Sequence, residues 1–112
     1  MTTHVLEFFE KDKISFDSIR EGSKTIETRA WSEKYSHVQV GDTLEFVCGD
    51  ERFSKQVTKI YHWPSVEAMA SEKLKEVVPW LETPEQAKEL IYSFPRYKEK
   101  IEAHGLLGFE LV

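Results

Sequence analysis

The sequence predicts an α+β domain: a small mixed or antiparallel β-barrel, partly closed, with peripheral helices covering its openings. Three observations carry that expectation. Thr43 to Cys48 and Arg52 to Tyr61 alternate apolar and polar residues on either side of Gly49-Asp50, the pattern of a β-hairpin. Thr83-Pro84-Glu85-Gln86 is a capping box with proline at the first helical position, and Ala87, Leu90, Ile91 and Phe94 follow at helical spacing. Leu106 to Val112 is apolar on both faces, which suits a strand returning to a central position. Hairpin-linked strands, then helices, then a returning strand set the helices beside the sheet.

In chain order, His4 to Phe9 is a short apolar and aromatic first strand. Residues 13–21 carry Phe16 and Ile19 on one helical face, with Ser15 available as a cap and Gly22 where a left-handed terminator is wanted. Thr25 to Arg29 is β-branched and reads as strand. Residues 30–38 lack periodicity and predict an exposed loop. Val40-Gly41-Asp42 then turns the chain into the hairpin, whose buried face takes Leu44, Phe46 and Cys48, then Phe53, Val57 and Tyr61. After Trp63-Pro64 the pattern becomes helical: a short helix from Ser65 to about Ser71, the capped helix to Phe94 broken by Pro95, and a turn or two over 96–103 ending at Gly105.

A length of 112 residues implies one domain, spanning 1–112, able to bury a core without staples. The net charge of −5 is spread over both halves with no basic arm, which argues against duplex DNA as a partner. The first residues lack the basic stretch of a secretory signal, and no apolar run is long enough for a membrane span. The single cysteine, Cys48, predicts a reducing, cytoplasmic setting and a small core residue. His4, His37, His62 and His104 show no ligand spacing, so neither a metal nor a cofactor is expected.

The stretch with the most chemistry is Gly22-Ser23-Lys24-Thr25-Ile26-Glu27-Thr28-Arg29. In a regular strand Glu27 and Arg29 share one face while Lys24 faces the other. Lys24 reaches Glu27 only if it still belongs to the turn after Gly22. Arg29 is a planar fork suited to a phosphate or carbonyl, and Glu27 can hold it or accept from a base amine. A catalytic Lys24 would need its pKa lowered well below the free value of about 10.4, and Glu27 pushes it upward unless burial dominates. Trp31 and Tyr61 lie near this stretch and the hairpin end, and either could stack on a base. Arg52, Lys55 and Lys59, with Lys24, Arg29 and Lys34, would make a basic groove if they converge.

The same stretch resembles the G-x-K-x-x-E-x-R signature of the ASCH domain, a branch of the PUA-like fold. Phe16-x-x-Ile19 before it, Val40-Gly41-Asp42 after it and the closing Gly-Leu-Leu-Gly-Phe-Glu-Leu lie in the family's order. The resemblance covers nearly the whole chain and implies a small barrel with a cleft that binds single-stranded RNA or a modified nucleoside. Lys24, Glu27 and Arg29 would form the polar wall, with Trp31 or Tyr61 as platform. Some small bacterial ASCH-like proteins are similar and act as amidohydrolases on acetylated cytidine nucleosides, using a lysine, a threonine and a glutamate. Their lysine matches Lys24, their threonine falls on Glu27, and their glutamate falls near Glu76. The alternative expectation is therefore a hydrolase of a nucleoside amide or of RNA, using Lys24 with Glu27 or Glu76.

Overall fold

The turn residues and the alternating runs form the elements they predict, and the order of the strands decides what those elements enclose. The computed structural model describes residues 1–112. Five strands, β1 (Thr3–Glu7), β2 (Ile26–Ala30), β3 (Thr43–Cys48), β4 (Glu51–Trp63) and β5 (Leu106–Leu111), form one mixed sheet. Its order is β1-β3-β4-β5-β2. β1 runs parallel to β3, and the other three pairings are antiparallel. The hairpin pairs Phe46 with Phe53 and Cys48 with Glu51, and a bulge at Thr58 shifts the register between β4 and β5.

Five helices complete the fold: α1 (Lys13–Glu21), α2 (Glu33–Ser36), α3 (Val66–Val77), α4 (Pro84–Tyr92) and α5 (Tyr97–His104). The capping box at Thr83 and Gln86 is formed in both directions. β5 is internal and buried on both faces, as its composition predicts, and it divides the core in two. Leu106 faces the helices with Ile26, Trp63, Met69, Ile91 and Ile101. Leu107 and Phe109 face the other way, with Leu6, Phe16, Ile19, Leu44 and Phe46. β2 lies beyond β5 as an edge strand, so its Glu27 and Arg29 project on the side of Leu107 and Phe109, their register partners.

The five strands form an open sheet, and closure into the expected barrel is not shown. No hydrogen-bonded ladder joins β1 to β2, because β1 pairs only with β3 and β2 only with β5. The two edges nevertheless curl within side-chain reach of each other. Arg29 Nη2 lies 3.5 Å from the Glu7 carbonyl, and Lys34 Nζ donates to the Val5 carbonyl at 3.2 Å. Local expectations shift as well. The loop over 30–38 contains the single turn α2, capped by Ser32. Asp12, not Ser15, precedes α1. The short helix after Ser65 continues to Val77 across a non-helical Lys73, because Leu74 and Val77 keep packing on the helical core. No helix is long and apolar enough to cross a membrane.

Candidate functional site

The site begins where α1 stops. Gly22 adopts the left-handed conformation (φ 95°), and its N–H donates to the Ser18 and Ile19 carbonyls. The Lys24 N–H turns back to Ser18 as well, at 3.1 Å. β2 starts only at Ile26: the Thr25 carbonyl already accepts from the Leu111 N–H, but the Thr25 N–H is diverted to the Glu76 carbonyl. Lys24 thus belongs to the turn, and its ammonium crosses to the side of Glu27. Nζ lies 3.4 Å from Glu27 Oε1 and donates to the carbonyls of Ile26 at 2.8 Å and Val77 at 2.5 Å. Three acceptors meet three ammonium hydrogens. Val77 is the last residue of α3, so the same cation satisfies an orphan helix carbonyl at the negative end of the helix dipole.

Glu27 is the hinge of the trio. Its Oε1 also accepts from the Thr28 N–H at 3.1 Å, while Oε2 accepts from Arg29 Nε at 3.2 Å and sits 3.1 Å from Nη2. Arg29 Nη1 donates to the Tyr35 hydroxyl at 3.1 Å. The guanidinium lies over the Phe8 ring at 4.9 Å and over the Tyr35 ring at 5.5 Å. Lys24 and Glu27 are 3% and 5% exposed, so water does not screen their pairing. Burial pulls Lys24 below the usual lysine range, against the opposing pull of Glu27. The hydrogen-bond pattern still fits the ammonium, since a neutral amine would turn a lone pair towards a carboxylate. Burial also works against the charge on Arg29, but Glu27 and Tyr35 outweigh it and hold Arg29 above its ordinary value.

The three charged groups line one cavity of about 150 Å³. Glu7, Phe8 and Phe9 from the end of β1, with Asp12 and Ser15 from the start of α1, form one wall. Val77, Val78, Leu90 and Ile91 from the helical layer form another, closed by Phe94, Pro95 and Tyr97 in the α4–α5 turn. Burial raises the Tyr97 phenol above its ordinary value.

The structure brings Lys24, Glu27 and Arg29 together and leaves the other candidates outside. Trp31 is half-buried against the sheet with its ring 4.9 Å from that of His104, and it does not line the cavity. Tyr61 is stacked on Trp63 at 4.8 Å within the helical core, and its hydroxyl donates to Glu110 Oε1 at 2.8 Å. Burial and that carboxylate push its phenol up to about 12. The Glu76 side chain is part-exposed beside Lys73 and absent from the cavity wall; only its backbone carbonyl supports the site, through Thr25. The basic groove does not form, because Lys24 is buried, Arg29 is half-buried, both are paired with Glu27, and Lys59 lies over Tyr61.

Sequence reasoning missed Phe8, Phe9, Phe94 and Tyr97, the aromatics that do line the cavity. Their signal lay in element ends. Phe9 follows β1 yet is 72% exposed, and Phe94 and Tyr97 flank the helix-breaking Pro95.

The fold is shared with solved structures. The crystal structure of hypothetical protein PH0355 superposes with a TM-score of 0.80 at 23% identity, covering 96% of this chain and 97% of that one. The solution structure of protein PF0455 from Pyrococcus furiosus has a TM-score of 0.74 at 24% identity, covering 96% of each chain. At these identities the likeness is one of fold. No protein-family model matches the chain, and no curated protein matches it.

Proposed function

We propose that the chain is an ASCH-type domain of the PUA-like group whose cavity receives a base, from a modified nucleoside or from an unstacked nucleotide of single-stranded RNA. The observation that supports this is the convergence of Lys24, Glu27 and Arg29 on one aromatic-walled cavity. Its volume of about 150 Å³ is small beside the ~300–1,000 Å³ of pockets for drug-sized ligands, so it suits one ring-sized group. Phe8, Phe94 and Tyr97 take the part expected of Trp31 or Tyr61. Lys24 is committed to three acceptors and shapes the floor, leaving recognition to the groups around it. The contacts of Arg29 from β2 and Lys34 from α2 with β1 carbonyls support a barrel-like reading of the open sheet, and the unpaired Cys48 supports a reducing cytoplasm. Titration calorimetry with nucleosides, acetylcytidine included, and with short single-stranded RNA tests the proposal. Saturable binding lost in Glu27→Ala and Arg29→Ala is expected; no saturable binding of any of them overturns it.

The rival reading, a hydrolase of a nucleoside amide or RNA, is favoured by the downward pull of burial on Lys24. It keeps Lys24 and Glu27 but loses Glu76, whose carboxylate is elsewhere. Incubation with acetylcytidine and labelled RNA decides it. Turnover abolished by Lys24→Ala and retained in Lys98→Ala establishes the hydrolase; no turnover removes it.

A further inference from the structure

The cavity has a charge sign as well as a shape. Three acidic residues line it, Glu7, Asp12 and Glu27, against two basic ones, Lys24 and Arg29, so the lining carries a single net negative charge. The distribution sharpens this. Lys24 is buried and Arg29 half-buried, and both are already bound to Glu27. The Glu7 and Asp12 carboxylates belong to none of the ion pairs of the fold. Glu7 is exposed and Asp12 half-buried, so both stand on the approach to the trio. No lysine or arginine besides Lys24 and Arg29 lines the wall.

Arg29 is equally informative. Of its five N–H groups, Nε and Nη2 are directed to Glu27 and the Glu7 carbonyl, and Nη1 gives one to Tyr35. One N–H of Nη1 has no protein acceptor, enough for a carbonyl or ring nitrogen but not for the forked grip that holds a phosphate. The guanidinium carbon already lies 4.9 Å from the centre of the Phe8 ring and 5.5 Å from that of Tyr35, so it is engaged with protein rings. The residues left for a ligand are therefore Arg29 with one donor, the acidic Glu7 and Asp12, Ser15, Thr28 and the aromatic lining.

We infer, resting on the ligand site proposed above, that the cavity selects an amino-bearing planar heterocycle or its nucleoside carrying no phosphate, and that Glu7 and Asp12 turn phosphorylated forms away. Ligand amines meet the carboxylates, a ligand carbonyl meets Arg29, and the ring lies against the aromatic walls. A phosphate beside the entrance faces two acidic residues that no ion pair neutralises, while the unpaired cations next to the lining in sequence, Lys11 and Arg96, are exposed and stand outside it.

The experiment is calorimetric titration of the whole protein with cytidine, adenosine, their 5′-monophosphates and a short single-stranded oligoribonucleotide, at low and at high salt. The expected result is that at least one nucleoside binds about tenfold or more tighter than its monophosphate, with the gap narrowing as salt screens the carboxylates. In the Glu7→Gln/Asp12→Asn double variant the gap closes, through gained affinity for the monophosphate. A monophosphate or oligoribonucleotide that binds as tightly as the best nucleoside overturns this inference and leaves the ligand site standing. A nucleoside preference unchanged in the double variant also overturns it. Failure of all five probes to bind overturns the ligand site itself, and the inference with it.

Discussion

Replacing Glu27 by glutamine tests the trio at its hinge. The amide keeps an acceptor for Lys24 and the Thr28 N–H, but it turns an NH₂ towards Arg29 Nε and Nη2, which need acceptors. Two cations are then left with no counter-charge at a site where Lys24 and Glu27 are nearly water-free. At separations of 3.4 and 3.1 Å each pair is worth about 5 kcal/mol in gross attraction at an effective dielectric of about 20. Desolvation has already consumed much of that, so the net loss expected on removing one partner is about 3–5 kcal/mol. For a domain of this size each kcal/mol lowers Tm by roughly 4 °C, giving a fall of about 12–20 °C. Urea unfolding at pH 7 with an unchanged m-value measures it. Adding Lys24→Met removes one stranded cation and should recover about 1 kcal/mol or more, less what the exposed Val77 carbonyl costs. A loss under about 1 kcal/mol for Glu27→Gln alone would refute the reasoning, since it would mean that water reaches the trio.

Further expectations concern the turn before the site and two perturbed groups elsewhere in the fold. Gly22→Ala meets no neighbouring atom, so its cost is backbone strain alone, about 1–2 kcal/mol by thermal unfolding; a neutral outcome would show that the turn relaxes. Asp42 accepts from His4 and from the Gln39 and Thr2 N–H groups, which lowers its carboxyl from 3.8 to about 2. Because the folded value lies below the unfolded one, that stabilisation is present above about pH 4 and fades as pH falls through 2, and Asp42→Asn should flatten this part of the acid-unfolding curve. Tyr61 is shifted the opposite way, so its phenolate should develop near pH 12 in a spectrophotometric titration and be missing in Tyr61→Phe. Folding favours the protonated phenol, and stability should decline as pH climbs from 10 towards 12.

The legible parts of the chain were those where local chemistry and tertiary structure agree. Gly22, the Gly49-Asp50 turn and the Thr83 capping box each satisfy backbone groups by short-range geometry, and each stands where the sequence sets it. The convergence of Lys24 with Glu27 and Arg29 was readable as a condition, that the strand begin after Lys24, and β2 meets it by starting at Ile26. The closure of the sheet was not readable. Whether β1 pairs with β2 depends on sheet curl, and here side chains from Arg29 and Lys34 span the gap instead of a ladder. The aromatic wall was hidden for a similar reason. Phe8, Phe94 and Tyr97 come from element ends far apart in sequence, whereas Trp31 and Tyr61 stand close to the Lys24–Arg29 stretch or to a strand end yet point into other packing. Proximity in sequence misled because β2 is an edge strand, and its neighbours across the cavity are supplied by β1 and the α4–α5 turn.

The account stands most directly on where a ligand binds. In a ¹H–¹⁵N NMR titration with the tightest-binding nucleoside, saturable shifts should cluster at Phe8, Phe9, Lys24 to Arg29 and Phe94 to Tyr97, while the Trp31 and Trp63 indoles and Tyr61 stay still. Shifts centred on Trp31 and His104, or none at the trio, would contradict it.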